Sequence, residues 1–132
     1  MTDYPGLAWL TRYQERVNAD PEMKVIGDWF STVFSLTFGE ERFALHVERG
    51  RIVDITARPR LDVRVMFGFR APVAVWRKFL SPDPPPLFHD FFAMLMRVPE
   101  FVLEGDSLVA MQNARALHRM MNIMRETGTP DA

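Results

Sequence analysis

The chain has 132 residues, 48% of them hydrophobic and 25% charged, with a formal net charge of -1 and no cysteine. This length fits one domain, and the near-neutral charge without blocks of like charge argues against nucleic acid or an anionic membrane as a partner. The lack of cysteine excludes disulfides, Cys-ligated zinc and a thiol nucleophile. With no signal-peptide pattern and no run of about 20 apolar residues, the sequence predicts a cytoplasmic protein without stable membrane insertion.

Two helices are predicted at the start of the chain. From Leu7 to Val17, apolar residues recur at three- and four-residue steps, which is the pattern of an amphipathic helix. Asp20 followed by Pro21 is typical of an N-cap and first helical position. A second, short helix is therefore predicted to end at Ile26.

Strands are predicted where the apolar period changes to two, from Thr32 onwards. Turn residues at Gly39 and Gly50 divide this region into three strands, and Pro59 ends the third. Such strands form an antiparallel meander with one polar, solvent-facing side. Two further strands are predicted at residues 62–67 and 101–104.

Two apolar segments separate the fourth and fifth predicted strands. Pro72 can open a helix that is apolar on one side. That side comprises Val73, Trp76, Phe79 and Leu80. A proline-rich run from Ser81 to Pro86 predicts an extended surface connector. The helix after it is apolar nearly all round, so it is buried on most sides or borders a cavity or a partner. Its apolar residues are Leu87, Phe88, Phe91, Phe92, Leu95 and Met96.

The last predicted helix follows Gly105, and Asp106 or Ser107 can cap it. Its apolar stripe is Leu108, Met111, Ala114, Leu117, Met121 and Met124. Arginines between these positions are predicted to point away from the stripe: Arg115, Arg119 and Arg125. Gly128 and Pro130 are predicted to end this helix.

No catalytic or metal-binding constellation stands out. Among the histidines only His89 has a carboxylate beside it, Asp90, and adjacent helical residues do not face each other. Neither metal-ligand spacing nor a phosphate-loop or nucleophile motif occurs, so no catalytic residue, metal or cofactor is assigned. Glu104 and Asp106 flank Gly105, which a sharp turn and a helix cap explain better than an acid–base pair.

This order of elements resembles the sterol carrier protein type 2 family over residues 27–125. The resemblance is carried by the strand ladder STVFSLTFGEERFALHVERGRIVDI and by EFVLEGDSLVAMQNARALHRMM, which is similar to the family's closing strand, Gly-Asp turn and C-terminal helix. It implies an α+β fold with a five-stranded mixed, mostly antiparallel sheet and helices on one face. It also implies an apolar tunnel for fatty acyl chains, acyl-CoA or sterols, in carriers rather than catalysts.

The resemblance implies that residues of the middle and last helices line the tunnel. These are Phe69, Val73, Trp76, Phe79, Leu80, Met111, Leu117, Met121 and Met124. The Phe-rich helix serves equally well as core or as ligand lining, with Phe88, Phe91, Phe92, Leu95 and Met96. Residues 81–98 are longer than the family's usual link before the closing strand, and this insertion could cover or reshape the tunnel mouth.

The leading hypothesis is therefore a single domain, residues 1–132, that binds an apolar small molecule without catalysis. Polar groups near the mouth would orient the ligand. The candidates are Arg70, Arg77, His89 and Arg97. Two alternatives stay open. A small cavity enzyme of isomerase or cyclase type could use His89, Asp90 or Glu104. The Phe-rich helix could instead be an interface, for a homodimer or for another protein.

Overall fold

The computed structural model describes residues 6–60, 63–81 and 83–127. Its helices are α1 (Leu7–Ala19), α2 (Pro21–Ile26), α3 (Val73–Leu80), α4 (Phe91–Arg97), α5 (Ser107–Gln112) and α6 (Ala114–Thr127). Its strands are β1 (Thr32–Phe38), β2 (Glu41–Glu48), β3 (Arg51–Ala57), β4 (Phe67–Ala71) and β5 (Val102–Gly105). Four positions used in sequence predictions lie outside the described residues: Asp62, Pro82, Gly128 and Pro130.

Within the described ranges, five strands form one mixed sheet in the order β3-β2-β1-β4-β5. The first three strands are the predicted antiparallel meander, and the hairpin between β2 and β3 turns through Arg49 and Gly50, both at positive φ. After β3 the chain crosses back to place β4 parallel to β1, and β5 runs antiparallel to β4. The predicted α+β class and its mostly antiparallel sheet are confirmed.

The core lies between the sheet and the helices. Alternate residues of β1, Phe34, Leu36 and Phe38, are buried on this side, as the two-residue period of a strand requires. Aromatic rings fill the layer: Phe34 stacks on Phe67 at 5.4 Å between ring centroids, and Phe38 lies 4.6 Å from Trp76. Burial of such rings is the main favourable contribution to folding, at about 1.5–3 kcal/mol for each side chain.

The two N-terminal helices form where the sequence predicts them. The carboxylate of Asp20 accepts a hydrogen bond of 3.0 Å from the Met23 amide, which makes it the N-cap of α2. Gln14 and Asn18 of α1 both donate to the Ile52 carbonyl, at 2.8 and 3.0 Å. The outer edge of β3, at one end of the sheet, is therefore covered by α1, which prevents it from pairing with another strand.

The fourth strand was predicted at the wrong place. It spans Phe67–Ala71, so only Phe67 of the predicted residues belongs to it, and Phe69 lies on this strand rather than on the middle helix. Parallel pairing decides the position, because Phe34 of β1 pairs with Phe67. Val63 and Val65 precede the strand, and hydrogen bonding to the neighbouring segments begins at Met66, which donates 2.8 Å to the Val33 carbonyl and accepts 2.8 Å from the Asp106 amide.

The helices after the middle one also differ from the prediction. The Phe-rich helix begins at Phe91 instead of Leu87, because the Asp90 carboxylate caps it by accepting a hydrogen bond of 2.9 Å from the Phe92 amide. The last helix is interrupted at Asn113, whose side chain donates 2.9 Å to the Val109 carbonyl and competes with continuous helical bonding.

Arg119 and Arg125 lie off the apolar stripe, as predicted, but both are half-buried and bonded to other elements. Arg119 donates to the Asp20 carboxylate at 2.6 and 3.1 Å. Arg125 donates to the backbone carbonyls of Phe79, Phe88 and His89, at 2.7, 2.9 and 2.9 Å. Helical spacing places both side chains off the apolar stripe, but the neighbouring elements that meet them there are set by tertiary packing.

The outer face of the sheet is less wet than the alternation suggests. Ser35 and Thr37 of β1 point to this face, opposite the core, yet they are only 1% and 6% exposed. Val65, in the segment that leads into β4, lines the same surface pocket as these two residues. The segment that connects β3 to β4 therefore lies beside the two buried polar residues of β1 on the outer face.

Candidate functional site

An open apolar groove lies beside the exposed edge of β5, with a volume of about 570 Å³. We call it the edge groove. It is lined by Phe92, Leu95 and Met96 of α4, by Phe101, Val102 and Leu103, and by Ser107 and Met111 of α5. Ser107 is the one side chain in this lining that carries a polar group.

The edge groove exists because the chain turns sharply between β5 and α5. Gly105 has a φ of +81°, and a Cβ at this position would lie 2.6 Å from the Met66 carbonyl oxygen. Only glycine fits such a turn without strain. Asp106 then caps α5 by accepting 3.1 Å from the Val109 amide. The helix therefore starts directly after the strand, and Ser107 and Met111 lie alongside Leu103.

Backbone groups of β5 also face the edge groove. The Asp106 amide donates 2.8 Å to the Met66 carbonyl, so Asp106 belongs to a hydrogen-bonded pair of the antiparallel ladder. Such pairs alternate with non-hydrogen-bonded ones along two strands. With Phe69 opposite Leu103 and Phe67 opposite Gly105, the N–H and C=O of Leu103 and Gly105 point away from β4. Leu103 thus presents a donor and an acceptor at an otherwise apolar wall.

The base of the edge groove is continuous with the core. The ring of Phe92 lies 4.2 Å from that of Phe91, which is buried and packs edge-on against Phe69 at 5.5 Å. Phe101 stacks on Phe69 at 5.8 Å. A ligand in the groove would therefore contact side chains that pack directly on the central aromatic layer.

Helix α6 holds the outer wall of the groove in place by polar contacts. His118 stacks on Phe92 at 6.2 Å, and its Nε2 lies 3.7 Å from the Asp90 carboxylate. The three carbonyl bonds of Arg125 fix the end of α3 and residues 88–89. Burial lowers the pKa of the Arg125 guanidinium from its ordinary value, the nearby Asp90 acting in the opposite direction.

The candidate catalytic groups do not assemble at the edge groove. His89 is exposed before α4, and Asp90 is occupied as the cap of that helix. Glu104 lies beside Arg70, at 3.3 Å, in a pocket on the outer face of the sheet. Among the described residues, no group of three or more His, Cys, Asp or Glu could hold a metal ion. Within the same part of the chain, no helix is long and apolar enough to cross a bilayer.

No family model matches this sequence, and no curated protein does. Solved structures match its fold. One is the crystal structure of sterol carrier protein 2, with a TM-score of 0.71 at 18% identity, covering 90% of this chain and 95% of that one. The chain has the sterol carrier protein 2 fold. A conserved hypothetical protein from Thermus thermophilus, described as a possible sterol carrier protein, gives a TM-score of 0.72 at 18% identity, covering 96% of this chain and 90% of that one.

A third solved structure with this fold is the ubiquinone synthesis protein UbiJ-SCP2. Its TM-score is 0.56 at 11% identity, and the match covers 86% of this chain and 90% of that one. The sterol carrier fold thus extends over almost all of each compared chain.

In this sterol carrier fold, the residues predicted to line the ligand separate into three groups. Four of them line the edge groove: Phe92, Leu95, Met96 and Met111. Eight are no more than 1% exposed and form part of the core: Phe69, Trp76, Phe79, Leu80, Phe91, Leu117, Met121 and Met124. Val73 and Phe88 are half-buried and pack against that core.

The polar residues predicted at a tunnel mouth do not line the edge groove. Arg70 is on the outer face with Glu104, and Arg77, His89 and Arg97 are exposed. Sequence reasoning missed Phe101, Val102, Leu103 and Ser107 as groove residues. The closing strand and the Gly-Asp turn, which contain or adjoin these residues, were predicted from the sequence as structural elements but not as a wall of a binding site.

Proposed function

We propose that this chain binds an apolar small molecule in the edge groove and does not convert it. The ligand classes that fit are a fatty acyl chain, an acyl-CoA, a sterol or a similar lipid. The observation that carries the proposal is the edge groove itself. The sterol carrier names of the solved structures with the same fold support the ligand class.

The size and lining of the edge groove suit such a ligand. Its volume of about 570 Å³ lies in the range of small-molecule sites, which are mostly apolar with a few placed polar groups. The body of a lipid can bury apolar surface against Leu95 and Met96, worth about 25 cal/mol for each Å² removed from water. A polar end group can bond to the Ser107 hydroxyl or to the outward-facing backbone of Leu103.

The buried residues among the predicted ligand contacts belong to a second step of the proposal. Phe91 and Leu117 are closed off beneath the groove, so they reach a ligand only when α4 moves outward. The groove residues then form the entrance and the core residues the deeper wall. A cytoplasmic location, a single domain and the lack of a cofactor or nucleic-acid partner complete the proposal.

Native mass spectrometry of the purified chain tests this, followed by extraction and identification of any bound compound. We expect a stoichiometric apolar compound on the native chain and its loss from Leu95→Glu, because the new carboxylate would be desolvated by the ligand. Leu7→Glu is the matched control, since Leu7 is 49% exposed on α1, far from the groove lining. An unliganded chain that also fails to bind acyl and polycyclic probes would refute the proposal.

A second copy of the chain is the alternative occupant of the edge groove. The specific observation in its favour is the outward-facing backbone of Leu103 and Gly105, which resembles an unpaired strand edge. Sedimentation of Phe92→Glu separates the two. Lipid binding predicts an unchanged mass and lost ligand, whereas a dimer predicts a mass that falls by half.

A further inference from the structure

The outer face of the sheet carries a pocket of about 440 Å³ that the proposed lipid binding does not use. We call it the outer-face pocket. Five of its nine lining residues are polar or charged: Ser35, Thr37, Arg42, Arg70 and Glu104, with Val65, Phe67, Gly68 and Gly105 as the others. The sheet separates it from the helices that line the edge groove.

Three of these residues form a row across three strands. In the sheet register, Thr37 of β1 pairs with Arg42 of β2 on one side and with Arg70 of β4 on the other. Paired residues lie about 5 Å apart and point to the same face. The Thr37 residue is therefore flanked by an arginine on each neighbouring strand.

The charges in this row are not balanced. Arg70 has its carboxylate in Glu104, at 3.3 Å, whereas Arg42 has no ion pair within the part of the chain that the structure describes. Like charges on neighbouring strands repel each other. The row thus keeps one net positive charge that an anion would neutralise.

The central hydroxyl has no hydrogen-bond partner. Thr37 is only 6% exposed, and among the described residues nothing pairs with its Oγ1. A buried hydroxyl left unpaired is costly, and native structures seldom tolerate one without a reason. The Thr37 carbonyl accepts 2.8 Å from the Trp76 indole, which fixes this residue from the core side. The orphan hydroxyl is thus held in place within the wall of the pocket.

We propose that the outer-face pocket binds a small organic acid or phosphate ester through its oxyanion. The oxyanion lies between Arg42 and Arg70 and accepts a hydrogen bond from Thr37. Guanidinium groups match the planar geometry of carboxylate and phosphate oxygens. The volume exceeds that of an oxyanion alone, so the rest of the ligand lies over Val65 and Gly68. This site is independent of the edge groove and of the lipid proposal.

Calorimetric titration of the full chain tests this at constant ionic strength, with inorganic phosphate and acetate as separate probes. We expect saturable binding of at least one probe, with phosphate favouring a phosphate ester and acetate an organic acid. Arg42→Gln should weaken it about tenfold, the effect of losing a hydrogen bond to a charged group. Arg51→Gln is the matched control, because Arg51 is an exposed arginine on β3 outside this pocket.

Thr37→Val separates a binding role from a structural one. It should weaken probe binding about threefold, as expected for one lost hydrogen bond, and raise the midpoint of thermal unfolding without probe. A lowered midpoint would show that the hydroxyl stabilises the fold, which overturns the proposal. The proposal would also be overturned if Arg42→Gln and Arg51→Gln lowered the affinity for the probe equally, or if neither probe bound saturably at millimolar concentration.

Discussion

At the scale of single residues, charged side chains join distant parts of this chain. Arg119 on α6 donates to the Asp20 carboxylate at 2.6 Å, while Asp20 also caps α2. Both side chains are largely buried, at 24% and 10% exposure. The pair therefore connects the C-terminal helix to the N-terminal helices by hydrogen bonds that solvent screens little.

Asp20→Asn should destabilise the chain at neutral pH while preserving the cap. The expected loss is about 1.5–3 kcal/mol, since the bonds to Arg119 are charge-assisted. Arg119 is the main cause that lowers the pKa of Asp20 from its ordinary value. A lowered pKa gives stability that is complete above the unfolded value of about 3.9 and is lost as pH falls through the folded one. Denaturant unfolding at neutral and acidic pH should show the difference from native shrinking below about pH 4.

Glu126→Gln is the control for this pair. Glu126 also accepts from Arg119, at 3.2 Å, but its side chain is half exposed. Exposed pairs contribute at most about 1 kcal/mol. The role assigned to the Arg119 pair would be wrong if the two variants lowered the free energy of unfolding by the same small amount. It would also be wrong if Asp20→Asn stayed less stable than the native chain at low pH.

At the scale of elements, α4 and the residues before it are held from outside by α6. The Arg125 guanidinium donates to three carbonyls and lies 4.5 Å over the Phe79 ring. Backbone carbonyls at the end of a helix or in a connector have no internal partner. One side chain thus satisfies several such groups and fixes the wall of the edge groove.

Arg125→Met should loosen this wall without unfolding the chain. Methionine keeps the apolar stem over Phe79 but donates nothing to the Phe88 and His89 carbonyls. We expect amide hydrogen exchange of residues 88–92 to accelerate about tenfold, as a local loss of 1–2 kcal/mol implies. Arg115→Met, at an exposed position on α6, is the control. Equal exchange rates in the two variants would contradict the assignment.

At the scale of the whole molecule, the two edge strands of the sheet differ in what covers them. The β3 edge is covered by Gln14 and Asn18 of α1, whereas the β5 edge borders the edge groove. An uncovered edge beside exposed apolar side chains is a surface that invites a ligand or a partner. Met96, at 83% exposure, is the most exposed hydrophobic side chain of this surface.

Ligand binding at this surface should raise the stability of the entire chain. With palmitate as the probe at a hundredfold excess over its Kd, linkage predicts about 2.7 kcal/mol, or roughly 10 °C in Tm for a domain of this size. Calorimetric melting of the chain freed of co-purified lipid measures it. Leu95→Glu should melt at the same temperature with and without palmitate. A Tm shift of equal size in Leu95→Glu would place binding elsewhere.

Local sequence patterns were sufficient for most of the fold. The period change at Thr32 predicts the meander, and Asp20 with Pro21 predicts the start of α2, because strand alternation and helix capping depend on neighbouring residues. The order of these elements was enough to suggest the fold that the solved structures share.

Tertiary structure decided what depends on distant partners. Parallel pairing with β1 placed β4 at Phe67–Ala71. Arg125 donates to the Phe88 carbonyl, in the connector before α4, which no local pattern predicts. The wall of the edge groove is formed by segments that follow one another but face each other only after Gly105 turns the chain. Likewise, Thr37 is a plain strand residue in sequence, and only the neighbouring strands place Arg42 and Arg70 beside it. Periodicity records which face a residue takes, whereas contact across strands and helices is fixed by packing of the whole chain.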